Sequence, residues 1–320
     1  MKRKEFFKRI LLVVVCIVTS CFDPDAPKTS LKQEREQIIP IASNDLAIQY
    51  PNEIPQHGSI QWSEPMVGFF ETNVAVYFHE KLYDKIQIVK VDPQKYRVNV
   101  WNDPTRYTIE DWRKRLNALA VINASYYKRK PYGAQLTPIL ENGRFKGNDG
   151  YPSSHGIFLS EPVKRRLPLA KYIDFSGRSK KIKKSYLKSL GYKTAIVSYP
   201  ILLDAKGRVR AKKNPQWRAT RSFIGIDKKG YIVIGNTMGG FFSLYRLGSF
   251  LKSLKALDLE FVLNLDGGPP ACMDIKANKF RYTNYGIWET NDSSGSEKLY
   301  WNQKNYTKWK IPNVISIHPK

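Results

Sequence analysis

Short runs of β-branched and aromatic residues follow one another from Val67 onward, and they constrain the fold more than any other feature of the sequence. Three clear examples are Val74–Phe78, Ile86–Val91 and Tyr96–Trp101, which partly alternate between apolar and polar residues. Such runs predict β-strands with one buried face. The chain must therefore pair many strands, and helices are expected only where a period of 3.6 residues appears.

Two segments show that helical period. Thr108 and Asp111 form a capping box, and apolar residues between Ile109 and Leu119 then fall on one helical face. Ser243 is the N-cap of a second helix. Its apolar face is predicted to consist of Leu244, Leu247, Leu251, Leu254 and Leu257.

Three further segments predict strands that end in polar or turn residues. Ala120–Asn123 reads as a buried strand, and Ala219–Thr237 as a hairpin whose turn is Asp227–Gly230. Phe261–Leu265 is an apolar strand that runs into Asp266-Gly-Gly. We find no internal repeat and one composition regime after residue 60. These features predict an α+β fold: a single domain over residues 61–320 with a mixed β-sheet and a few packing helices.

Composition excludes several classes of protein. The 13% aromatic content argues against bulk disorder, and three cysteines among 320 residues are too few for a disulfide scaffold. The longest apolar run, Ile10–Val18, is about half of the ~20 residues that a membrane-spanning helix needs. The net charge of +25 favours a polyanionic partner, which composition alone leaves as nucleic acid, anionic lipid or phosphorylated polysaccharide.

The first residues predict the compartment. A basic stretch precedes Ile10–Val18, and small residues follow it, as in a secretory signal. Cys21 stands where a bacterial lipobox places the lipidated cysteine; the alternative is an ordinary signal peptide. We therefore expect a signal peptide over residues 1–20 and a lipidated Cys21 with a linker over 21–60. Phe22 at the next position predicts outer-membrane anchoring in a bacterial cell envelope, facing the periplasm or the surface, and this compartment argues against nucleic acid as a partner.

A basic run, Arg178–Lys188, contains six lysines and arginines in eleven residues. It is typical of a solvated helix face or loop. The alternative is a docking surface for an anionic envelope polymer or for lipid headgroups, so that a membrane partner would be reached both through this run and through lipid on Cys21.

Reactive groups are expected where polar residues follow buried strands and glycines leave room for a ligand. Three segments meet that description: 123–127, 221–225 and 264–268. Each also has a structural explanation when taken alone. Asn123 can cap a turn, Arg221 can form a buried ion pair, and Asp266-Gly-Gly can be a tight turn.

Together and in this order, the motifs resemble those of the phosphodiester glycosidase family. Asn123-Ala-Ser-Tyr-Tyr is similar to the family's Asn-Gly-Gly-Phe-Phe, and Arg221-Ser-Phe-Ile-Gly to its Arg-Thr-Ala-Ile-Gly strand. Asn264-Leu-Asp-Gly-Gly reproduces its most specific motif. Ser198–Leu203 and Ile311–Val314 are similar to two further family segments, so the resemblance covers roughly residues 70–318.

Two departures from the family pattern stand out. Ala124 and Ser125 replace two glycines of the first motif, and Pro269 and Pro270 follow Gly268 where the family usually has a third glycine and hydroxyl residues. Prolines stiffen a loop and lack the backbone N–H donor. The departures bear on substrate identity and on activity.

The resemblance implies hydrolysis at the anomeric carbon of a sugar-1-phosphodiester. On that basis Arg221 is expected to hold the phosphate, and Asp266 to activate water or stabilise the cationic transition state. Asn123 is expected to bind sugar hydroxyls or orient water, and His155 is a candidate acid or base with a loop-structural alternative. The expected substrate contacts are Ser125, Tyr126, Asp149, Asn264, Gly267, Gly268 and Trp288.

The expected function is thus an envelope-anchored glycosidase acting on a phosphodiester-linked sugar of a surface or exogenous glycan. The alternative is a non-catalytic lipoprotein that binds anionic polysaccharide through its basic surface and its aromatic residues near the C-terminus. In both cases the expected partner is an anionic or phosphorylated glycan. The scattered histidines show no metal-ligand spacing, so the metal is unknown and the sequence identifies no cofactor with certainty. A divalent cation bound by carboxylates stays open.

Overall fold

The computed structural model describes residues 49–50, 52–128, 133–151, 156–176, 181–213, 217–286 and 308–320. Within those residues the helices are α1 (Ile109–Leu116), α2 (Lys184–Ser189) and α3 (Leu244–Ser253), with a 3₁₀ helix at Lys255–Leu257. The strands in chain order are β1 (Gln56–His57), β2 (Ser63–Met66), β3 (Phe69–Phe78), β4 (Lys81–Val91), β5 (Tyr96–Tyr107), β6 (Ala120–Asn123), β7 (Ile139–Glu141), β8 (Arg144–Lys146), β9 (Gly156–Pro162), β10 (Ala170–Asp174), β11 (Tyr192–Ser198), β12 (Ile201–Leu203), β13 (Ser222–Asp227), β14 (Ile232–Thr237), β15 (Leu259–Asn264), β16 (Cys272–Ala277), β17 (Phe280–Tyr285) and β18 (Ile311–Pro319).

These strands form three sheets. The first has the order β1-β3-β4-β14-β13-β15-β12, with β2 beside β3; the second is β10-β9-β11-β7-β8; the third is β17-β16-β6-β18-β5. The predicted α+β class is confirmed as a mostly β domain with a few short helices. All described strand pairs are antiparallel, so the sheet directions are not mixed. Antiparallel pairing suits this chain because short turns such as Asp227–Gly230 join many of its strands.

The main core lies between the first sheet and α3. Ser243 caps α3 by accepting a hydrogen bond from the Arg246 backbone N–H, as predicted. Leu247, Leu251, Leu254 and Leu257 are buried, and their cluster also holds the aromatic residues Phe78, Phe223, Phe241, Phe242 and Phe250. The predicted helical face is therefore the face that closes this core.

The third sheet is covered by α1. The Thr108 hydroxyl accepts a hydrogen bond from the Asp111 backbone N–H, which confirms the predicted cap. Ile109 and Trp112 are buried against residues of β6, β16 and β18. This packing fixes β6, whose four residues are all buried and whose last residue is Asn123.

The second sheet is covered by α2, which comes from the basic run of the sequence. Ile182 and Leu187 pack on the apolar face of this sheet. The lysines at positions 181, 183, 184 and 188 are exposed. The described part of the run is therefore a solvated helical surface over a small apolar core.

Sequence and structure differ in how far strand pairing extends toward the N-terminus. β1 pairs with β3, with Gln56 opposite Tyr77, so ordered pairing begins within the segment 21–60 that we expected to be a linker. No helix in the described part of the chain is both long and apolar enough to cross a membrane.

Candidate functional site

The ends of β6 and β15 meet, although they belong to different sheets. The Asp266 backbone N–H donates to the Ala124 carbonyl oxygen at 3.2 Å. The Asn123 side chain strengthens this junction: its Nδ2 donates to the Asp266 carbonyl oxygen at 2.8 Å, and its Oδ1 accepts from the Cys272 backbone N–H at 3.2 Å. Asn123 thus fastens the loop that carries Asp266.

Arg221 lies directly before β13 and beneath the same loop. Its side chain is 4% exposed. Nε donates to the Phe242 carbonyl oxygen at 3.1 Å, and one terminal nitrogen donates to the Trp217 carbonyl oxygen at 2.7 Å. A Cβ built on Gly267 would lie 3.0 Å from the other terminal nitrogen, so a larger residue at this position would crowd the guanidinium. A fixed positive charge therefore lies against Gly267, next to Asp266.

The Asp266 carboxylate is partly exposed, and its Oδ1 accepts the Gly267 N–H at 3.0 Å. The Gly268 N–H donates to the Thr220 carbonyl oxygen, and the Gly268 φ angle of 71° is one that glycine adopts readily. These bonds hold the carboxylate at the end of β15 in one orientation.

Pro269 and Pro270, the departure from the family pattern, form the middle of a tight turn. The Ala271 N–H donates to the Gly268 carbonyl oxygen at 2.9 Å and closes it. The turn's own hydrogen bond uses no N–H from its central residues. The two prolines therefore remove no backbone N–H that this turn needs for its own hydrogen bond.

Three tyrosines form one wall beside Asp266. Tyr126 stacks on Tyr199 with ring centroids 4.6 Å apart, and Tyr151 also stacks on Tyr199, with centroids 6.4 Å apart. The Tyr126 hydroxyl donates to the Tyr199 carbonyl oxygen and accepts from Asn264 Nδ2, both at 2.8 Å. Tyr126 and Asn264, both predicted site residues, thus meet here, whereas Tyr151 and Tyr199 were not predicted.

The electrostatics of this wall follow from burial and from Asp266. Burial raises the pKa of Tyr126 well above its usual range, and the negative charge of Asp266 raises it further. Burial raises the pKa of Tyr199 as well, with contributions from the Tyr151 hydroxyl and from Asp266. Both phenols consequently remain protonated at neutral pH.

Several polar atoms around this junction are buried and have no hydrogen-bond partner in the described part of the chain: Ser198 Oγ, Thr220 Oγ1 and Asn264 Oδ1. Ser198 precedes Tyr199, and Thr220 precedes Arg221. Buried polar groups are nearly always satisfied, so ordered water is the expected partner of each of these atoms.

Two predicted site residues lie apart from a direct ligand position. Ser125 is fully buried, where its hydroxyl accepts from Thr137 Oγ1 and its carbonyl oxygen accepts from Asn313 Nδ2. It braces the loop after β6. Asp149 is exposed and accepts the Lys184 backbone N–H at 2.7 Å, which ties it to the start of α2.

The remaining predicted residues His155, Trp288 and Cys21 lie outside the described residues. Cys272, within them, is buried with a free thiol, and burial raises its pKa, so it is chemically inert. In the described part of the chain no three His, Cys, Asp or Glu side chains lie together as metal ligands would.

Two solved structures are similar to this chain in fold. The catalytic domain of zebrafish N-acetylglucosamine-1-phosphodiester alpha-N-acetylglucosaminidase, auto-inhibited by its pro-peptide, is 16% identical with a TM-score of 0.54 over 89% of this chain and 87% of that one. A hypothetical protein from Synechocystis is 13% identical, with a TM-score of 0.53 over 82% of this chain and 64% of that one. These likenesses show the fold.

No curated protein matches the sequence. Residues 116–318, more than half of the chain, match the phosphodiester glycosidase family. The match includes the loops that carry Asn123, Arg221 and Asp266. The chain belongs to the phosphodiester glycosidase family.

Proposed function

We propose that this chain is a glycosidase that hydrolyses the bond between the anomeric carbon and the phosphate oxygen of a sugar-1-phosphodiester. The observation that carries the proposal is the junction of β6, β13 and β15, where the Asp266 carboxylate, the Arg221 guanidinium and the tyrosine wall meet within one loop cluster. A carboxylate beside a fixed cation suits a reaction that develops positive charge at carbon and leaves negative charge on phosphate.

Arg221 acts on the leaving group. Its guanidinium is held by two backbone carbonyls, so its charge needs no reorganisation when the phosphate binds against Gly267. The charge stabilises the phosphomonoester as the carbon–oxygen bond breaks. Since phosphate is already an anionic leaving group, this role matters more than protonation by an acid.

Asp266 acts on the anomeric carbon. Its partly exposed carboxylate stabilises the cationic centre and directs water to it. The water oxygen becomes the sugar hydroxyl, the water proton is released, and the carbon–oxygen pair of electrons leaves with the phosphate. Asn123 and Ser125 act as positioning residues because both hold loop backbone.

The sugar ring is placed beside the wall of Tyr126, Tyr199 and Tyr151. Asn264 contributes through its Nδ2, which donates to the Tyr126 hydroxyl at 2.8 Å and to the Tyr199 carbonyl oxygen at 3.2 Å and so holds the wall in place. His155 and Trp288 stay predicted site residues in this proposal on the strength of the sequence alone, whereas Asp149 is bonded to the start of α2. Lipid attachment at Cys21 in a bacterial envelope completes it and rests on residues 10–21 alone.

The test uses the purified chain and an α-linked N-acetylglucosamine-1-phosphodiester, with free sugar as the readout. Asp266→Asn is the test variant, and Asp258→Asn is the matched control at the opposite end of β15, where the Asp258 carboxylate pairs with Lys228. We expect the parent and Asp258→Asn to release sugar, and Asp266→Asn to be slower by about a thousandfold.

Thermal unfolding of all three proteins checks that they are folded. Equal rates for parent and Asp266→Asn would contradict the assignment. Retention of a phosphorylated glycan without release of sugar by the folded parent would instead support the non-catalytic binding protein.

A further inference from the structure

The second sheet, its β9–β10 turn and α2 carry a dense set of cations. Residues 161–193 contain eleven lysines and arginines but only two acidic residues. We name as the basic track six of the exposed ones: Lys164, Arg165, Arg166, Lys181, Lys184 and Lys188. The first three lie in the β9–β10 turn, and the others lie in or just before α2.

No acidic side chain in the described part of the chain neutralises the track. Within the described residues, none of its six cations forms an ion pair within 4.0 Å of a carboxylate. Of the nearby acids, Asp149 accepts a backbone N–H, Asp174 pairs with Arg210, and Glu161 is half-buried near Lys193 and Lys320. The positive field of the track is therefore directed to solvent.

One end of the track adjoins the candidate site. A Cβ built on Gly150 would lie 3.4 Å from Lys181 Cδ, and the Gly150 N–H donates to the Ile182 carbonyl oxygen. The next residue, Tyr151, is the outer ring of the tyrosine wall. The cations therefore begin where the wall ends.

The other end lies at the far side of the second sheet. The Val163 N–H donates to the Gly191 carbonyl oxygen at 2.9 Å, which joins the β9–β10 turn to the chain that leaves α2. β9 has seven residues, so the track extends about 23 Å from the tyrosine wall. It is a line of charge with the site at one end.

We propose that the basic track binds a polymeric glycan with repeated phosphodiesters, so that neighbouring repeats are held along α2 while one unit occupies the site. This proposal rests on the proposed function, which it extends from a single diester to a polyanion. A line of cations without described ion pairs favours a chain of phosphates for two reasons. Each contact with a phosphate releases counterions, and several contacts with the same polymer molecule strengthen one another. Its continuity with Tyr151 favours a polymeric substrate over a membrane surface.

The test changes the track without touching the site. The track variant carries Gln at Lys164, Arg165, Arg166, Lys184 and Lys188. The control variant carries Gln at five exposed lysines on other faces, 95, 252, 255, 276 and 279, which removes the same total charge. Both are compared with the parent using fluorescent poly(N-acetylglucosamine 1-phosphate), the single diester, and phosphatidylglycerol vesicles.

We expect the track variant to bind the polymer about tenfold or more weakly, with a smaller salt dependence, while the control variant stays within about twofold of the parent. In the track variant the KM for the polymer should rise by the same factor as the loss of polymer affinity. Its kcat for the polymer and its kinetics on the single diester should be unchanged. Equal losses in both variants would overturn the proposal, because net charge alone would explain them. Loss of vesicle binding with polymer binding intact would also overturn it, in favour of a membrane surface.

The binding readout separates this proposal from the proposed function. If the parent binds the polymer through the track but releases no sugar from the single diester, the catalytic assignment fails and the binding surface stands. If the parent releases sugar and the track variant binds the polymer as tightly as the parent does, the surface fails and the catalytic assignment stands.

Discussion

The loop cluster around Asp266 and the basic track use polar residues in opposite ways. In the loops, Asn123, Arg221 and Asn264 are buried, and their side chains are bonded to the backbone of other loops. In the track, the charged side chains are exposed and have no described carboxylate partner. Buried hydrogen bonds fix atoms to within a fraction of an ångström, whereas exposed charges create a field that tolerates movement.

This difference separates two contributions to function. Changes in the loops should alter rate and stability, because they disturb a fixed geometry. Changes in the track should alter affinity for large anions and its dependence on salt. The predictions below concern the loops and run from the largest expected effect to the smallest.

Among these three changes, Arg221→Lys should cause the largest effect. Lysine retains the charge but cannot bond the Trp217 and Phe242 carbonyls while holding a charge against Gly267. We expect kcat/KM on the single diester to fall by about a hundredfold to a thousandfold. Steady-state kinetics measure this, with thermal unfolding as the check on folding. A loss under threefold in a folded variant would remove Arg221 from the reaction.

Asn123→Ala should follow, with an effect on stability as well as rate. The change leaves the Asp266 carbonyl oxygen and the Cys272 N–H without their partner inside the protein. We expect the free energy of unfolding to fall by about 3 kcal/mol in urea titrations. Gln94→Ala, at an exposed turn position, is the control and should change it by less than about 0.5 kcal/mol. Similar values for the two variants would show that Asn123 does not fasten the loop.

Asp84→Asn should have the smallest effect, and one that depends on pH. Asp84 is fully buried, and its Oδ1 accepts the N–H groups of Met238 and Gly239, in the turn that leads to the Phe242 carbonyl beneath Arg221. Burial raises the pKa of Asp84 to about 7. From about pH 4 to 7 the native chain therefore keeps a proton that the unfolded chain loses, so this group's stabilising contribution falls as pH rises through that range.

The measurement for Asp84 is the difference in unfolding free energy between parent and variant at several pH values. The parent should lose about 2 kcal/mol relative to Asp84→Asn between pH 5 and pH 7, because the neutral amide does not titrate. The difference should then change little above pH 8. A difference that is constant from pH 5 to pH 8 would show that Asp84 is ionised throughout.

The sequence predicted the local elements well because their signals are local. The caps Thr108 and Ser243, and the strand that ends at Asn264, depend on residues within a few positions of one another. The division into three sheets was not predictable in this way. It depends on pairings such as Trp101 with Val314, whose register is set by packing between distant segments.

The site shows the same division. Motif order was sufficient to bring Asn123, Arg221 and Asp266 together as candidates. The sequence did not reveal that the Asn123 amide donates a hydrogen bond to the backbone of the Asp266 loop. A polar residue at the end of a strand looks the same in the sequence whether it contacts substrate or holds a loop. Of the three tyrosines in the wall, only Tyr126 was predicted. Tyr151 and Tyr199 stack with it from two other segments of the chain, and residues that meet in this way show no regular spacing in the sequence.

The central claim is that this site breaks the bond between carbon and oxygen at a sugar phosphodiester. The direct test is hydrolysis of the single diester in water enriched with oxygen-18, followed by mass spectrometry of both products. The account predicts that the label enters the released sugar and that the phosphomonoester is unlabelled. Label in the phosphate would mean attack at phosphorus, and it would contradict the roles assigned to Asp266 and Arg221.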